Sequence, residues 1–171
     1  MTENEWVKRK RNRLEKYDYS SAGAYFITIC TEGRREILSR IVVGGDVLDA
    51  PKKEELLPYG EIAEKYIHQL NDFYGDIVVD RYVIMPNHIH IMLFVSENGA
   101  SRTSPPTKQH TTVSKFLSTF KRFCNKEYGE NIWQRSYYDH VIRDRQDYEE
   151  HARYIMENPA RWCYDELYTT E

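Results

Sequence analysis

Two histidines separated by one residue stand at the head of an apolar run in "MPNHIHIML", residues 85–93. In a strand, positions i and i+2 point to one face. His88 and His90 would then stand side by side, with Ile89 and Ile91 facing the other way. Two neighbouring imidazoles can chelate a divalent metal. A pair of half-buried strand histidines, hydrogen-bonded to backbone or solvent, fits the same spacing, because two ligands do not make a site. A further ligand is on offer near the C-terminus. In "RQDYEEHARYIMENP", Tyr154 and Asn158 are four residues apart, and on a helix such positions share a face. The Asn158 amide oxygen can ligate a metal, as can the neighbouring Glu157. The plainer reading makes Tyr154 a core aromatic and Asn158 a helix C-cap before Pro159.

Both pairs need elements to position them. The aromatic and β-branched run "AYFITICT" predicts a strand over 24–31. Residues 35–51, "REILSRIVVGGDVLDAP", predict a hairpin turning at Gly44-Gly45. Apolar residues at Ile62, Ala63, Tyr66, Ile67, Leu70 and Phe73 have helical spacing over 58–73, and Gly75 stops that helix. Strands follow over 76–86 and 88–95, joined by a tight Pro-Asn turn. A basic amphipathic helix over 111–127, a strand over 132–143 and a helix over 145–157 complete the series. Repeating a split βαβ unit in this order gives an α+β, ferredoxin-like sandwich. It has one antiparallel β-sheet with helices on one face, plus a C-terminal helix carrying Tyr154.

The chain of 171 residues suits one domain. Within it, 1–23 reads as a basic N-terminal arm, 36–57 as a hairpin insertion and 96–110 as a flexible Ser/Thr/Pro/Gly-rich loop. The longest apolar runs are too short to span a membrane, and the N-terminus shows no secretory signal, so a cytoplasmic protein is expected. Three widely spaced cysteines without a CxxC read as reduced thiols. Net charge is only −3, but the charge is segregated. Residues 7–16 hold six Lys/Arg against one Glu, 108–126 hold five against no acid, and 144–171 hold three against eight acids. A basic face is therefore possible on an acidic protein. Solvated surface explains any single basic run equally well.

"VIMPNHIHIML" resembles the HUH motif (His, bulky hydrophobic, His) of single-tyrosine transposases. "IWQRSYYDHVIRDRQDYEEHARYIMENP" resembles the C-terminal signature of REP-associated tyrosine transposases, and "AYFITICTEGRREIL" is similar to that family's first strand. The likeness runs roughly from Ser20 to Trp162 in the family's order. It implies that His88 and His90 bind a divalent metal, Mg²⁺ or Mn²⁺, that Asn158 is the third ligand, and that Tyr154 is the nucleophile. Insertion-sequence relatives usually carry Gln where Asn158 stands, and Asn fits the REP-associated branch. The implied activity is cleavage and rejoining of hairpin-containing single-stranded DNA through a 5′-phosphotyrosine, by a monomer or homodimer. The alternative is a non-catalytic, domesticated DNA- or RNA-binding module on the same fold. Single-stranded DNA needs cations along its backbone and aromatics for its bases. Candidates are Lys8, Arg9, Lys10, Arg11 and Arg13 in the arm, Lys115, Lys121 and Arg122 on the basic helix, and Trp133, Gln134 and Arg135 beyond it.

Overall fold

The computed structural model describes residues 22–43, 52–96 and 112–168. These hold the strands β1 (Gly23–Cys30), β2 (Ser39–Val43), β3 (Lys52–Leu56), β4 (Ile77–Ile84), β5 (His88–Val95) and β6 (Tyr138–Ile142). The helices are α1 (Pro58–Phe73), α2 (Thr112–Tyr128) and α3 (Arg145–Glu157), and a 3-10 turn, Asn158–Tyr164, extends α3. The N-terminal arm through residue 21, Gly44-Gly45 and nearly all of the 96–110 loop lie outside the described residues.

Period-two alternation builds the sheet. Tyr25, Ile27 and Ile29 of β1 and Ile89, Ile91 and Leu93 of β5 are wholly buried in one core with α1 and α2. The strand order is β4-β5-β1-β6, with every neighbouring pair antiparallel. This is the ferredoxin-like arrangement, with the β2–β3 hairpin set between β1 and α1. Helices α1 and α2 cover one face. Residues of the opposite parity, including Val83 and Met92, pack with Ala152, Ile155 and Trp162 in a second cluster, so α3 lies across the other face. His88 and His90 point to that second face, opposite Cys30 and Thr28 of β1.

Two elements differ from the sequence expectation. The strand expected over 132–143 is only Tyr138–Ile142. Before it, Trp133 makes a single bridge to Thr31, and Lys121 Nζ donates to the carbonyls of Gln134 and Ser136 at 2.7 and 2.9 Å. The Glu32 amide donates to the Ile132 carbonyl at 2.7 Å and the Gln134 amide to the Cys30 carbonyl at 2.9 Å, so residues 132–134 still pair beside the chain that follows β1, and the expected strand is interrupted before Tyr138. The second hairpin strand is "KKEEL", beyond Pro51, where a run of charge conceals strand character. Its exposed edge is marked by a bidentate Arg40–Glu55 pair at 3.0 and 2.8 Å.

The start of α1 is fitted against the turn that carries the histidines. The Leu38 carbonyl accepts from the Leu57 amide at 2.9 Å, and the Leu38 amide donates to the Pro86 carbonyl at 3.0 Å. Gly60 makes this approach possible, since a Cβ there would lie 2.0 Å from the Leu38 oxygen. Gly60→Ala is expected to destabilise the protein by about 2 kcal/mol or more through overpacking. That is a fall in Tm of about 4 °C or more for a chain of this size. Gly75→Ala, with nothing within 4 Å of its Cβ position, is the control and should unfold with the parent. Equal Tm values for the two variants in a thermal melt would refute the close approach.

Candidate active site

The histidine pair is held from behind. Asn87 Nδ2 donates to the Leu167 carbonyl at 2.8 Å, which turns the Asn87 oxygen toward His88 Nδ1, also at 2.8 Å. An amide oxygen only accepts, so His88 carries its proton on Nδ1 and leaves Nε2 bare. His88 Nε2 lies 2.9 Å from His90 Nε2. With no cation between them, His90 must place its proton on Nε2, and its Nδ1 then accepts from the Thr28 hydroxyl at 2.8 Å. Because a hydroxyl both donates and accepts, Thr28 also suits the other tautomer, in which both Nε2 atoms are bare. The turn is pinned as well: the Thr31 amide and hydroxyl donate to the Asn87 carbonyl at 2.9 and 3.1 Å.

Helix α3 brings Tyr154 to this pair. Asp144 caps the helix by accepting from the Asp147 amide. Asp147 then binds both His140 of β6, at 2.9 Å, and His151, at 3.0 Å. On the other sheet edge, Tyr148 Oη donates to Asp80 of β4 at 2.8 Å. Tyr154 consequently sets its ring edge-on to His90, with centroids 5.1 Å apart, and to Phe26 at 6.0 Å. It remains 41 % exposed, so a substrate can reach the phenol.

Sequence reasoning missed Asp165. One of its carboxylate oxygens accepts from Tyr154 Oη at 3.0 Å and from Asn158 Nδ2 at 2.9 Å, and the other accepts from the Leu167 amide at 2.7 Å. No spacing rule connects an acid in the coil after a 3-10 turn to a motif far earlier in the chain. Its only signal was an acidic residue shortly after the Tyr-Asn pair. Asn158 is the C-cap of α3, as the plainer reading has it, but it is buried and its Oδ1 has no hydrogen-bond partner.

Burial pushes His88 down to about 3, helped by the positive charge of Arg34. His90 is likewise held well below the ordinary imidazole range, by burial first and then by His88; Asp165 pulls it up and His151 pushes it down. Both rings are therefore neutral, the form that ligates metal. The Tyr154 phenol is held above its usual value by burial and then by the Asp165 charge. A ligand nitrogen from each histidine and an Asp165 carboxylate oxygen lie within 4.8 Å of one another. The Nε2–Nε2 spacing suits two cis ligands, since bonds of about 2.1 Å at a right angle place their nitrogens about 3 Å apart. The orphaned Asn158 oxygen is another acceptor that a cation would satisfy. The residues thus fit a divalent ion.

The site opens into a cleft of about 610 Å³ whose lining includes Phe26, Arg34, His90, His151, Tyr154 and Asp165. Tyr138 also lines it, whereas the Tyr137 hydroxyl bonds Ser114 and Tyr148 is engaged on β4. Of the expected DNA-contacting residues, Trp133 is a correction: it is 2 % exposed and packs on Phe120, so no base can stack on it. Lys121 is committed to two backbone carbonyls, and burial lowers it to about 8. Lys115, Arg122 and Arg135 are exposed and Gln134 is half-buried. Lys8, Arg9, Lys10, Arg11 and Arg13 lie outside the described residues.

The depressed histidines set a pH dependence. An unfolded imidazole titrates near ~6.5, above both folded values, so below that pH the unfolded chain binds protons that the folded chain refuses. Stability therefore rises with pH between about 3 and the unfolded value, by up to about 1.4 kcal/mol per unit per histidine. In urea titrations the metal-free protein should lose stability steadily from pH 6.5 to 5, above the carboxylate range, and the slope should shrink in His88→Asn. An identical slope in that variant would mean that His88 titrates as a solvated group.

Comparison with known proteins gives this geometry a context. The family described as "Transposase IS200 like" matches residues 47–158. An uncharacterized Haemophilus influenzae protein is 28% identical over 175 residues, covering 94% of this chain and 93% of that protein. A REP-associated tyrosine transposase of Escherichia coli is 26% identical over 83 residues, covering 48% of this chain and 44% of that one. Among solved structures, a REP-associated tyrosine transposase bound to a REP hairpin superimposes with a TM-score of 0.58 at 19% identity. That match covers 90% of this chain and 76% of the other, and shows the shared fold. By the family match across most of its length, the chain belongs to the IS200-like transposases.

Proposed function

We propose that this protein is a metal-dependent tyrosine transposase that cleaves and rejoins single-stranded DNA through a 5′-phosphotyrosine on Tyr154. The observation that carries the reading is the placement of one reachable phenol, on Asp165, beside two neutral imidazoles that can share a cation. His88 and His90 would hold the ion, with Asp165 and the Asn158 oxygen as the available oxygen ligands. A mixed nitrogen and oxygen set suits Mn²⁺ better than Mg²⁺, which prefers oxygen alone. When bound, the ion supplies Lewis-acid stabilisation of charge on the scissile phosphate.

The chain's own groups account for the remainder. Tyr154 Oη forms a bond to phosphorus, the P–O3′ bond breaks, the phenol proton passes to the Asp165 oxygen that already accepts it, and the departing O3′ takes a proton from solvent water to become a 3′-OH. A free phenol, near ~10, is a weak nucleophile at neutral pH, so the step depends on Asp165 as acceptor and on alignment by the tethered helix. The phosphotyrosine ester keeps the bond's energy, so an incoming 3′-OH can restore a phosphodiester without ATP. Hairpin recognition is supported by the solved relative's hairpin complex. Among the described residues no helix is long and apolar enough to cross a membrane, and we place the protein in the cytoplasm, with its DNA, as a monomer or homodimer.

A non-catalytic binding module is the second reading. The raised phenol favours it, since a tyrosine pushed above its ordinary value is a less ready nucleophile. A covalent-adduct assay decides between them. Labelled single-stranded hairpins are incubated with protein and Mn²⁺ or chelator and resolved on a denaturing gel. The expected band depends on metal and is absent in Tyr154→Phe. A band that persists in Tyr154→Phe would move the nucleophile elsewhere, with Tyr138 the first alternative. Retained DNA binding with no adduct under any metal would favour the binding module.

A further inference from the structure

Directly after β1 the chain enters a short 3-10 turn, Glu32–Arg34, in which Gly33 has φ 65° and Arg34 φ 56°. Glycine takes that conformation freely, whereas a long side chain does so at a cost. Among the described residues Arg34 is the only non-glycine with positive φ. Backbone held this way is often functional strain.

The strain is matched by where the side chain goes. Arg34 lines the cleft with His90, Tyr154 and Asp165, and its charge is felt at His88 and Cys30. Glu150, Asp165 and Glu166 line the same cleft. Arg34 pairs with none of them, and among the described residues its guanidinium has no hydrogen-bond or ion-pair partner. Its neighbour Arg35, by contrast, is engaged with Glu130 at 3.4 Å. The strained arginine in the cleft is thus the uncommitted one.

We propose that Arg34 binds a nucleic-acid backbone phosphate in this cleft and, on the transposase reading above, clamps the scissile phosphodiester for attack by Tyr154. A planar guanidinium can donate two parallel N–H bonds to the non-bridging oxygens and oppose the charge that develops there. The turn sets the Arg34 backbone at the edge of the cleft, and its uncommitted side chain is free to meet a phosphate there.

The test separates this proposal from the reading it rests on. In a Tyr154→Phe background with Mn²⁺, binding of a fluorescent thymidine oligonucleotide is followed across a salt series. Adding Arg34→Ala should weaken binding about tenfold and lower the slope of log K against log salt by about 0.7, one single-strand phosphate contact. Arg34→Gly, which releases the strain, should lose as much binding while melting no lower than its parent, so the loss cannot be ascribed to misfolding. With Tyr154 intact, Arg34→Ala should slow single-turnover adduct formation about 100-fold, and Arg34→Lys should recover part of it. An unchanged salt slope, an unchanged adduct rate, or no binding of the oligonucleotide by the parent would each overturn the Arg34 assignment. No adduct from any protein, with the Arg34-dependent slope intact, would instead sink the transesterase reading and leave Arg34 as a phosphate site.

Discussion

Two imidazole nitrogens 2.9 Å apart, in a place closed to solvent, can hold one proton or one cation between them, but not two protons. The surrounding structure meets that constraint. Asn87, locked by its own bond to Leu167, dictates the tautomer of His88. Thr28 tolerates either tautomer of His90 because β1 pairs with β5 in a register that sets Thr28 directly opposite. A slip of one residue in that register would send both histidines into the α1–α2 core. The same alternation that buries Ile89 and Ile91 on one face therefore fixes the imidazoles on the other.

On the proposed function, the helix that faces them has to be held with comparable firmness, because a nucleophile displaced by an ångström loses much of its advantage. Only Ala152 and Ile155 of α3 are buried apolar residues, a thin hydrophobic hold. Polar ties make up the difference. Asp147 joins α3 to β6 through His140, and Tyr148 joins it to β4 through Asp80. Burial pushes the Asp147 carboxyl up, but hydrogen bonds from His140 and the Arg143 amide outweigh this and leave it below its usual value. The ionised carboxylate is thus the form that the tether selects.

Much of this was legible because it follows local periodicity. The i, i+2 histidines and the i, i+4 Tyr-Asn pair report which side chains share a face, and the order of strands and helices limits which faces can meet. Asp165 was not legible, because it sits in irregular chain and reaches the site only through the fold. Arg34 was hidden differently: "TEGRRE" offers two adjacent arginines, and only backbone conformation separates the free one from the one paired with Glu130. Trp133 and Lys121 misled in the opposite direction. Their types suit nucleic acid, yet one fills the core and the other ties down the backbone between the Trp133 bridge and β6. In β3, four charged residues in a row of five concealed a strand that pairing with β2 makes.

Charge balance gives the cleft its last property. Asp165, Glu150 and Glu166 line it against Arg34 as its one Lys or Arg, and the neutral His90 adds nothing. Taken bare, such a cleft repels a phosphate backbone. On the proposed function, a divalent ion held by the histidines would offset that excess where the scissile phosphate must sit, and leave Arg34 free to meet the phosphate instead of a carboxylate. Occupancy by the ion and entry of the DNA are then linked through one electrostatic field. The burial that keeps the imidazoles neutral is what makes this possible, since a protonated pair could neither hold the ion nor tolerate the 2.9 Å approach.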